Sequence, residues 1–169
     1  MNFSKKRVEI HRPRAAEARG YHAVLVEALI VHPDCFPEDY SSEISRSLSD
    51  IEEELERSGI FGAWFDGVLA GIGSGIACNS SKRRHCGRVQ NLYVKEQYRH
   101  KGVSGLLLQE ILRHASSDMK QLEVELPAKC EKVVDLFEQF RFRLCGILPS
   151  GLRVGQEELD MWTMSRALR

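Results

Sequence analysis

Residues 88 to 116 read Arg88-Val-Gln-Asn-Leu-Tyr-Val94, then Lys95-Glu-Gln-Tyr-Arg-His-Lys-Gly-Val-Ser-Gly105, then Leu106-Leu-Leu-Gln-Glu-Ile-Leu-Arg-His-Ala-Ser116. The pattern predicts a strand, a short basic loop with glycines, and an amphipathic helix starting at Gly102. Leu107, Leu108, Ile111, Leu112 and Ala115 form the helix's apolar face. This order sets a helix N-terminus beside the end of a strand. The first N–H groups of a helix have no intrahelical acceptor, and the helix dipole adds partial positive charge, so such a terminus attracts anions. Arg99 and Lys101 flank it, and Gly102 lets a phosphate approach the backbone with no Cβ in the way. A diphosphate-bearing cofactor is the expectation.

Outward from this stretch the chain alternates strands and helices. Arg7 to Arg12 alternates as a strand. A helix is expected from Ala15 to about Val31, although Gly20 inside it costs about 1 kcal/mol relative to alanine. Pro33 and Pro37 mark a loop. Ile44, Leu48, Ile51 and Leu55 make one stripe, which predicts a single helix from Ser42 to Ser58. Ile60 to Phe65 and Val68 to Ala77 flank Asp66-Gly67, the signal of a tight hairpin. The segment from Cys78 to Cys86, with Lys82-Arg-Arg-His85, reads as a polar tip. After the central helix come a strand from Gln121 to Leu126, a helix from about Glu131 to Phe140, and strands near 143–148 and 158–166. Along Gln121 to Leu126, Glu123 and Glu125 share one face, and Leu122, Val124 and Leu126 share the other. A three-strand meander followed by helix, strand, helix and two strands predicts a mixed α/β sheet with helices on both faces.

The length of 169 residues suits one domain spanning 1–169. Twenty-four basic and 24 acidic residues cancel, which removes the electrostatic argument for nucleic acid or an anionic membrane as the main partner. No apolar run reaches the roughly 18 residues of a membrane-spanning helix, and Met1 to Arg7 lacks the apolar stretch of a secretory signal. Five scattered cysteines, Cys35, Cys78, Cys86, Cys130 and Cys145, read as free thiols in a reducing compartment, with the cytoplasm as the default location. Cys78, His85 and Cys86 lack zinc-ligand spacing, so no metal is expected.

Neither common nucleotide motif is present. A dinucleotide fold wants Gly-x-Gly-x-x-Gly after its first strand, and a P-loop wants Gly-x4-Gly-Lys-Ser/Thr. The segment Arg99-His100-Lys101-Gly102-Val103-Ser104 instead resembles the Arg/Gln-x-x-Gly-x-Gly/Ala signature of the GNAT superfamily of acetyl-CoA-dependent N-acetyltransferases, with Ser104 at the last small position. Val124 to Phe142 resembles a second pattern of that family, with Leu136, Glu138 and Phe142 matching outright. The order of elements is similar over nearly the whole chain.

The resemblance implies a GNAT-type, mostly antiparallel seven-stranded sheet, splayed between its fourth and fifth strands, with about four helices. It implies that the pantetheine arm of acetyl-CoA lies in the splay. Backbone groups near Leu92, Tyr93 and Val94 would pair with it, and Arg99, His100, Lys101, Gly102, Val103, Ser104 and Gly105 would hold the pyrophosphate. Cys130 and Phe137 stand where the family places residues against the cofactor. It also implies that the loop with Pro33 and Pro37, with the second helix, walls the acceptor cleft.

Acetyl transfer to an amine needs a group to take the amine's proton and a donor for the leaving thiolate. The family's frequent tyrosine donor is Phe137 here, which cannot give a proton. The family's asparagine is replaced by Cys130, which reads as a helix-start residue rather than a nucleophile. The usual glycine before Phe142 is Arg141, whose left-handed conformation would cost about 1–2 kcal/mol, so a different turn is expected. Glu125 is the first candidate base, and burial would raise its pKa towards neutrality. Gln90, at a position where other branches carry glutamate, can orient a water or the amine. Tyr93 is a candidate proton donor. The expected function is transfer of an acetyl group from acetyl-CoA to a primary amine of a small molecule or peptide by direct attack. The alternative is a non-catalytic acyl-CoA-binding sensor or subunit on the same scaffold. Homodimerisation is left open.

Overall fold

The computed structural model describes residues 8–36 and 39–168. Arg7, Pro37 and the Met1 to Arg7 segment therefore lie outside the described residues. The elements run β1 (Val8–His11), α1 (Ala18–Val31), α2 (Tyr40–Ile44), α3 (Leu48–Glu56), β2 (Ile60–Phe65), β3 (Val68–Ala77), β4 (Cys86–Val94), α4 (Val103–Asp118), β5 (Gln121–Pro127), α5 (Glu131–Gln139), β6 (Arg143–Val154) and β7 (Glu157–Ala167). The seven strands form one sheet in the order β1-β2-β3-β4-β5-β7-β6. Among the described residues, only the β4–β5 pair is parallel.

Helices cover both faces. On one, Val103, Leu107, Leu108, Ile111 and Ala115 of α4 and Val134 and Phe137 of α5 pack on Val89, Leu122 and Val124 of the sheet. On the other, Tyr21, Val24, Leu25 and Ala28 of α1 join Ile51 and Leu55 of α3 over Ile72 and Tyr93. Glycines at alternate positions of β3 admit α4 closely. A Cβ on Gly75 would stand 2.6 Å from the side chain of Ile111, and one on Gly71 3.3 Å from that of Leu107.

The Asp66-Gly67 hairpin forms as expected, with φ of 50° and 81°, the two positive values a type I′ turn demands. The single helix expected from Ser42 to Ser58 is instead two. Asp39 caps α2 by accepting from the Ser42 N–H at 3.1 Å. Ser47 opens α3 with a capping box to Asp50. Serines that bond to nearby backbone favour caps over helix interiors. Ile44 falls out of the stripe and is 51% exposed. The first helix also begins later than expected, after a 3-10 turn over Ala15–Glu17. With α2 and α3 separate, the described residues form five α-helices.

Arg141 does take the left-handed conformation, φ 63°, contrary to expectation. A full Schellman closure holds it there. The Phe142 N–H donates to the Phe137 carbonyl at 3.0 Å, and the Arg141 N–H to the Glu138 carbonyl at 2.8 Å. Phe142 packs edge-on against Phe137, ring centroids 5.0 Å apart, which is the apolar contact such motifs carry. The cost of a left-handed Cβ at Arg141 is offset by this closure and the buried aromatic pair.

Candidate functional site

β4 and β5 pair only at their beginnings: Cys86 with Gln121, Gly87 with Leu122, and Arg88 with Glu123. Beyond that, β4 runs on to Val94 and β5 to Pro127 with no ladder between them, so the sheet opens into a wedge. A bulge in β4 accompanies the parting. Gln90 pairs with Ser74 and Tyr93 with Ile72, leaving Asn91 and Leu92 opposite Gly73 alone. Asn91 has φ 54°. Two buried polar atoms here, Asn91 Oδ1 and Tyr21 Oη, have no hydrogen-bond partner among the described residues. Burial, and then the nearby carboxylates of Glu54 and Glu43, push the Tyr21 hydroxyl well above its ordinary pKa.

At the wide end of the wedge the backbone leaves β4, makes a 3-10 turn over Glu96–Tyr98, and enters α4 through His100 and Gly102, with φ 58° and 78°. The Leu106 N–H closes the first helical bond on the Gly102 carbonyl at 3.0 Å. The amides of Val103, Ser104 and Gly105 precede that bond and have no acceptor within the helix. No heavy atom lies within 4 Å of where a Gly102 Cβ would stand, so the backbone is open on that side. The Val103 side chain is buried and anchors the turn. This is the amide cradle expected for a diphosphate, and its residues fit that group.

The flanking cations hold less expected positions. The Arg99 side chain turns back along the end of β4: Nε donates to the Val94 carbonyl at 2.9 Å, and Nη2 meets His32 Nε2 at 2.7 Å. Its guanidinium lies 5.6 Å from the centre of the Tyr93 ring. Lys101 Nζ donates to the Gln97 carbonyl at 2.7 Å and sits over the rings of Phe65 and Tyr98. Both cations are thus tied to backbone carbonyls beside the amides of Val103, Ser104 and Gly105.

Leu92, Tyr93, Val94 and residues 99–105 are thus brought together at one end of the wedge, and Cys130, at the start of α5, is joined to Cys35. Phe137 belongs to the same buried cluster as Val94 and Val103. It is 1% exposed in the core against Phe142. Glu125 points away from the core face of β5, as the alternation predicts. It is not buried: its side chain is 40% exposed and its Oε1 lies 3.3 Å from Arg88 Nη2. The same polar face carries exposed Gln90 and partly buried Glu123, the latter accepting from Arg83 at 2.9 Å. Tyr93 donates its hydroxyl to Glu27 Oε1 at 3.0 Å, and Glu27 also pairs with Lys95 at 3.4 Å. Burial and that carboxylate push the Tyr93 hydroxyl up to about 12.

Several participants had no signal in the sequence. His32 showed no partner there, yet it joins α1 to Arg99. Burial, and then the Arg99 charge, holds its pKa below the usual imidazole value. Cys35 and Cys130, 95 residues apart in sequence, are joined by a disulfide with Cα atoms 6.5 Å apart. This corrects the expectation of five free thiols. Cys78, Cys86 and Cys145 remain free, and Cys130 is occupied by Cys35. Next to it, Lys129 Nζ contacts Asp34 Oδ2 at 2.9 Å and Glu157 Oε2 at 3.2 Å. No arithmetic on cysteine spacing separates this pair from the other three.

Comparison with known proteins agrees with this geometry. Residues 19–140 match the acetyltransferase (GNAT) family. Among curated protein sequences none matches the chain. Solved structures are similar over almost its whole length. A ribosomal-protein-alanine N-acetyltransferase from Brucella melitensis is 20% identical with a TM-score of 0.83, covering 95% of this chain and 99% of its own. A GNAT acetyltransferase from Streptococcus pneumoniae is 19% identical at TM-score 0.82, covering 96% and 100%. A candidate acetyltransferase from Salmonella typhimurium, solved with its cofactor acetyl-CoA, is 15% identical at TM-score 0.82, covering 96% and 95%. The cradle at Gly102, the wedge beside it and the matched span lead to one conclusion: this chain belongs to the GNAT family of acetyltransferases.

Proposed function

We propose that this protein transfers an acetyl group from acetyl-CoA to a primary amine of a small molecule or peptide by direct attack of the amine. The observation that carries the reading is the pairing of an open β4–β5 wedge with an amide cradle at its mouth. Acetyl-CoA, when bound, supplies the acetyl group as an activated thioester. The amides around Gly102, with Lys101 and Arg99 nearby, hold the pyrophosphate. The edge of β4 at Leu92 and Val94, which β5 leaves unpaired, offers backbone groups to the pantetheine arm.

The acceptor approaches on the polar face that carries Arg88, Gln90 and Glu125. An ammonium must lose a proton before it can attack, and Glu125 takes it, directly or through a water. Gln90, exposed beside it, orients the amine or that water. Tyr93 keeps its proton through the neutral range, as burial and Glu27 require. It can return a proton to the leaving thiolate once its bond to Glu27 is exchanged.

The test is thiol release from acetyl-CoA across polyamines, amino acids, aminoglycosides and peptide N-termini, using reduced protein freed of reductant. Turnover with at least one amine class is expected. Glu125→Gln should lower kcat by about 100-fold with little change in affinity for acetyl-CoA. A second reading, a sensor that binds acyl-CoA without turnover, draws on the absence of a hydroxyl at the buried Phe137. Tight binding with no thiol released across the panel would establish that reading in place of the first.

A further inference from the structure

The segment His32 to Phe36, which follows α1, lies across the open end of the wedge and is tied on both sides. On the β4 side His32 meets Arg99 at 2.7 Å, and the Phe36 ring packs edge-on to Tyr93 at 6.4 Å between centroids. On the β5 side Asp34 pairs with Lys129 at 2.9 Å, and Cys35 is bonded to Cys130 at the N-terminus of α5. Residues 129 and 130 lie two and three positions beyond the end of β5 at Pro127. The strap therefore joins the two strand ends that the wedge holds apart, and one of its joints is covalent.

We infer that Cys35 and Cys130 form a reversible thiol–disulfide site that latches this strap across the mouth of the parted strands, barring the acyl-CoA arm when oxidised and admitting it when reduced. The inference rests on the proposed use of the wedge for acetyl-CoA. A pantetheine chain must spread or thread the space between the ends of β4 and β5. A fixed Cα–Cα distance of 6.5 Å between the strap and the start of α5 resists that spreading, whereas an ion pair can exchange with water. The latched state is the one described above.

The chemistry closes with a small-molecule disulfide as oxidant. One protein thiolate attacks the disulfide and releases one thiol. The second protein thiolate attacks the mixed disulfide and releases the other. The two protein protons go to the two released thiolates, and two electrons pass from the cysteines to the reagent. In the reverse direction Cys35, the more exposed of the pair, is the accessible sulfur. Attack there frees Cys130 as thiolate at a helix N-terminus, where the helix dipole stabilises it.

The experiment uses the full chain, reduced or treated with glutathione disulfide, and calorimetry with a thioether analogue of acetyl-CoA. Such an analogue neither reduces a disulfide nor acylates a thiol. Peptide mapping after differential alkylation should find the 35–130 bridge only in the oxidised sample. The oxidised protein should bind the analogue at least about tenfold more weakly, a difference of about 1.4 kcal/mol. Oxidised Cys35→Ser should bind like the reduced protein, while Cys145→Ser should keep the full redox response. Absence of the mapped bridge, or a loss of affinity that persists in oxidised Cys35→Ser, overturns the latch. Equal affinity of both wild-type states overturns the latch and leaves the proposed function standing. No binding by the reduced protein overturns both.

Discussion

The two sides of the wedge mouth are built by opposite means. The cradle at Gly102 is local: eight consecutive residues, from Arg99 to Leu106, set two left-handed turns and a helix start, and the amides follow from the backbone path. The strap facing it is assembled from a distance. His32, Asp34 and Cys35 meet partners at 99, 129 and 130, and each tie is a side-chain contact. A backbone device survives most side-chain changes and fails when its φ values are forbidden. A side-chain device is tuned or broken one residue at a time.

That contrast is open to attack, most strongly at the cradle. Gly102→Val places a β-branched residue at φ 78° with open space around it. It should cost about 1–2 kcal/mol of stability from the left-handed backbone. It should also weaken acetyl-CoA binding by about tenfold or more, since 1.4 kcal/mol of lost amide contact is already a factor of ten. Denaturant unfolding and calorimetry separate the two losses. An unchanged affinity would mean that the amides do not hold the cofactor.

The next test concerns Phe137. Adding a hydroxyl with Phe137→Tyr restores the residue type common in the family, but the ring is packed on Phe142 with no exposed edge. A buried hydroxyl without a partner costs about 1–3 kcal/mol. The expected outcome is lower stability and no gain in turnover. A rise in kcat would show that the ring reaches the wedge.

Arg141→Gly should act in the opposite direction. It keeps the Schellman bonds and removes a left-handed Cβ, so unfolding should require about 1 kcal/mol more.

The smallest expected effect lies on the strap. His32 has a lowered pKa when folded, from burial and then from Arg99, partly offset by Asp34 and Glu96. Above its usual value of 6.5 the imidazole is neutral in folded and unfolded chains alike. Below that value the unfolded chain takes the proton first, so this contribution to stability is full above 6.5 and is lost as pH falls towards the folded value. Wild type should lose more stability than His32→Gln between pH 7.5 and about 5. Parallel curves for the two proteins would remove the Arg99–His32 tie from the account.

Local readings of the sequence reached far, because local chemistry decided those elements. The Asp66-Gly67 turn, the α4 face from Leu107 to Ala115 and the in/out alternation of β5 each depend on neighbours a few residues away. Misreadings arose where two local signals competed. Apolar spacing at Ile44 and Leu48 suggested one helix, but Ser45 and Ser47 ended one and began another. At Arg141 an intrinsic backbone penalty was outweighed by a closure that needs Phe137 and Phe142 together. The strap was illegible for a different reason. A bond between Cys35 and Cys130 depends on the fold bringing two loops to within 6.5 Å, and nothing within either loop records it. The role of Glu125 lies between these cases: alternation gave its face, but the Arg88 partner and its exposure came only from the register of β4 against β5.

The central claim is that amides around Gly102 grip the diphosphate of acetyl-CoA at the mouth of the β4–β5 wedge. Calorimetric titration of the reduced protein with the thioether analogue, against Gly102→Val in parallel, tests it most directly. Saturable one-to-one binding that the substitution weakens by about tenfold or more is the expected result. No heat of binding, or equal binding by both proteins, would contradict it.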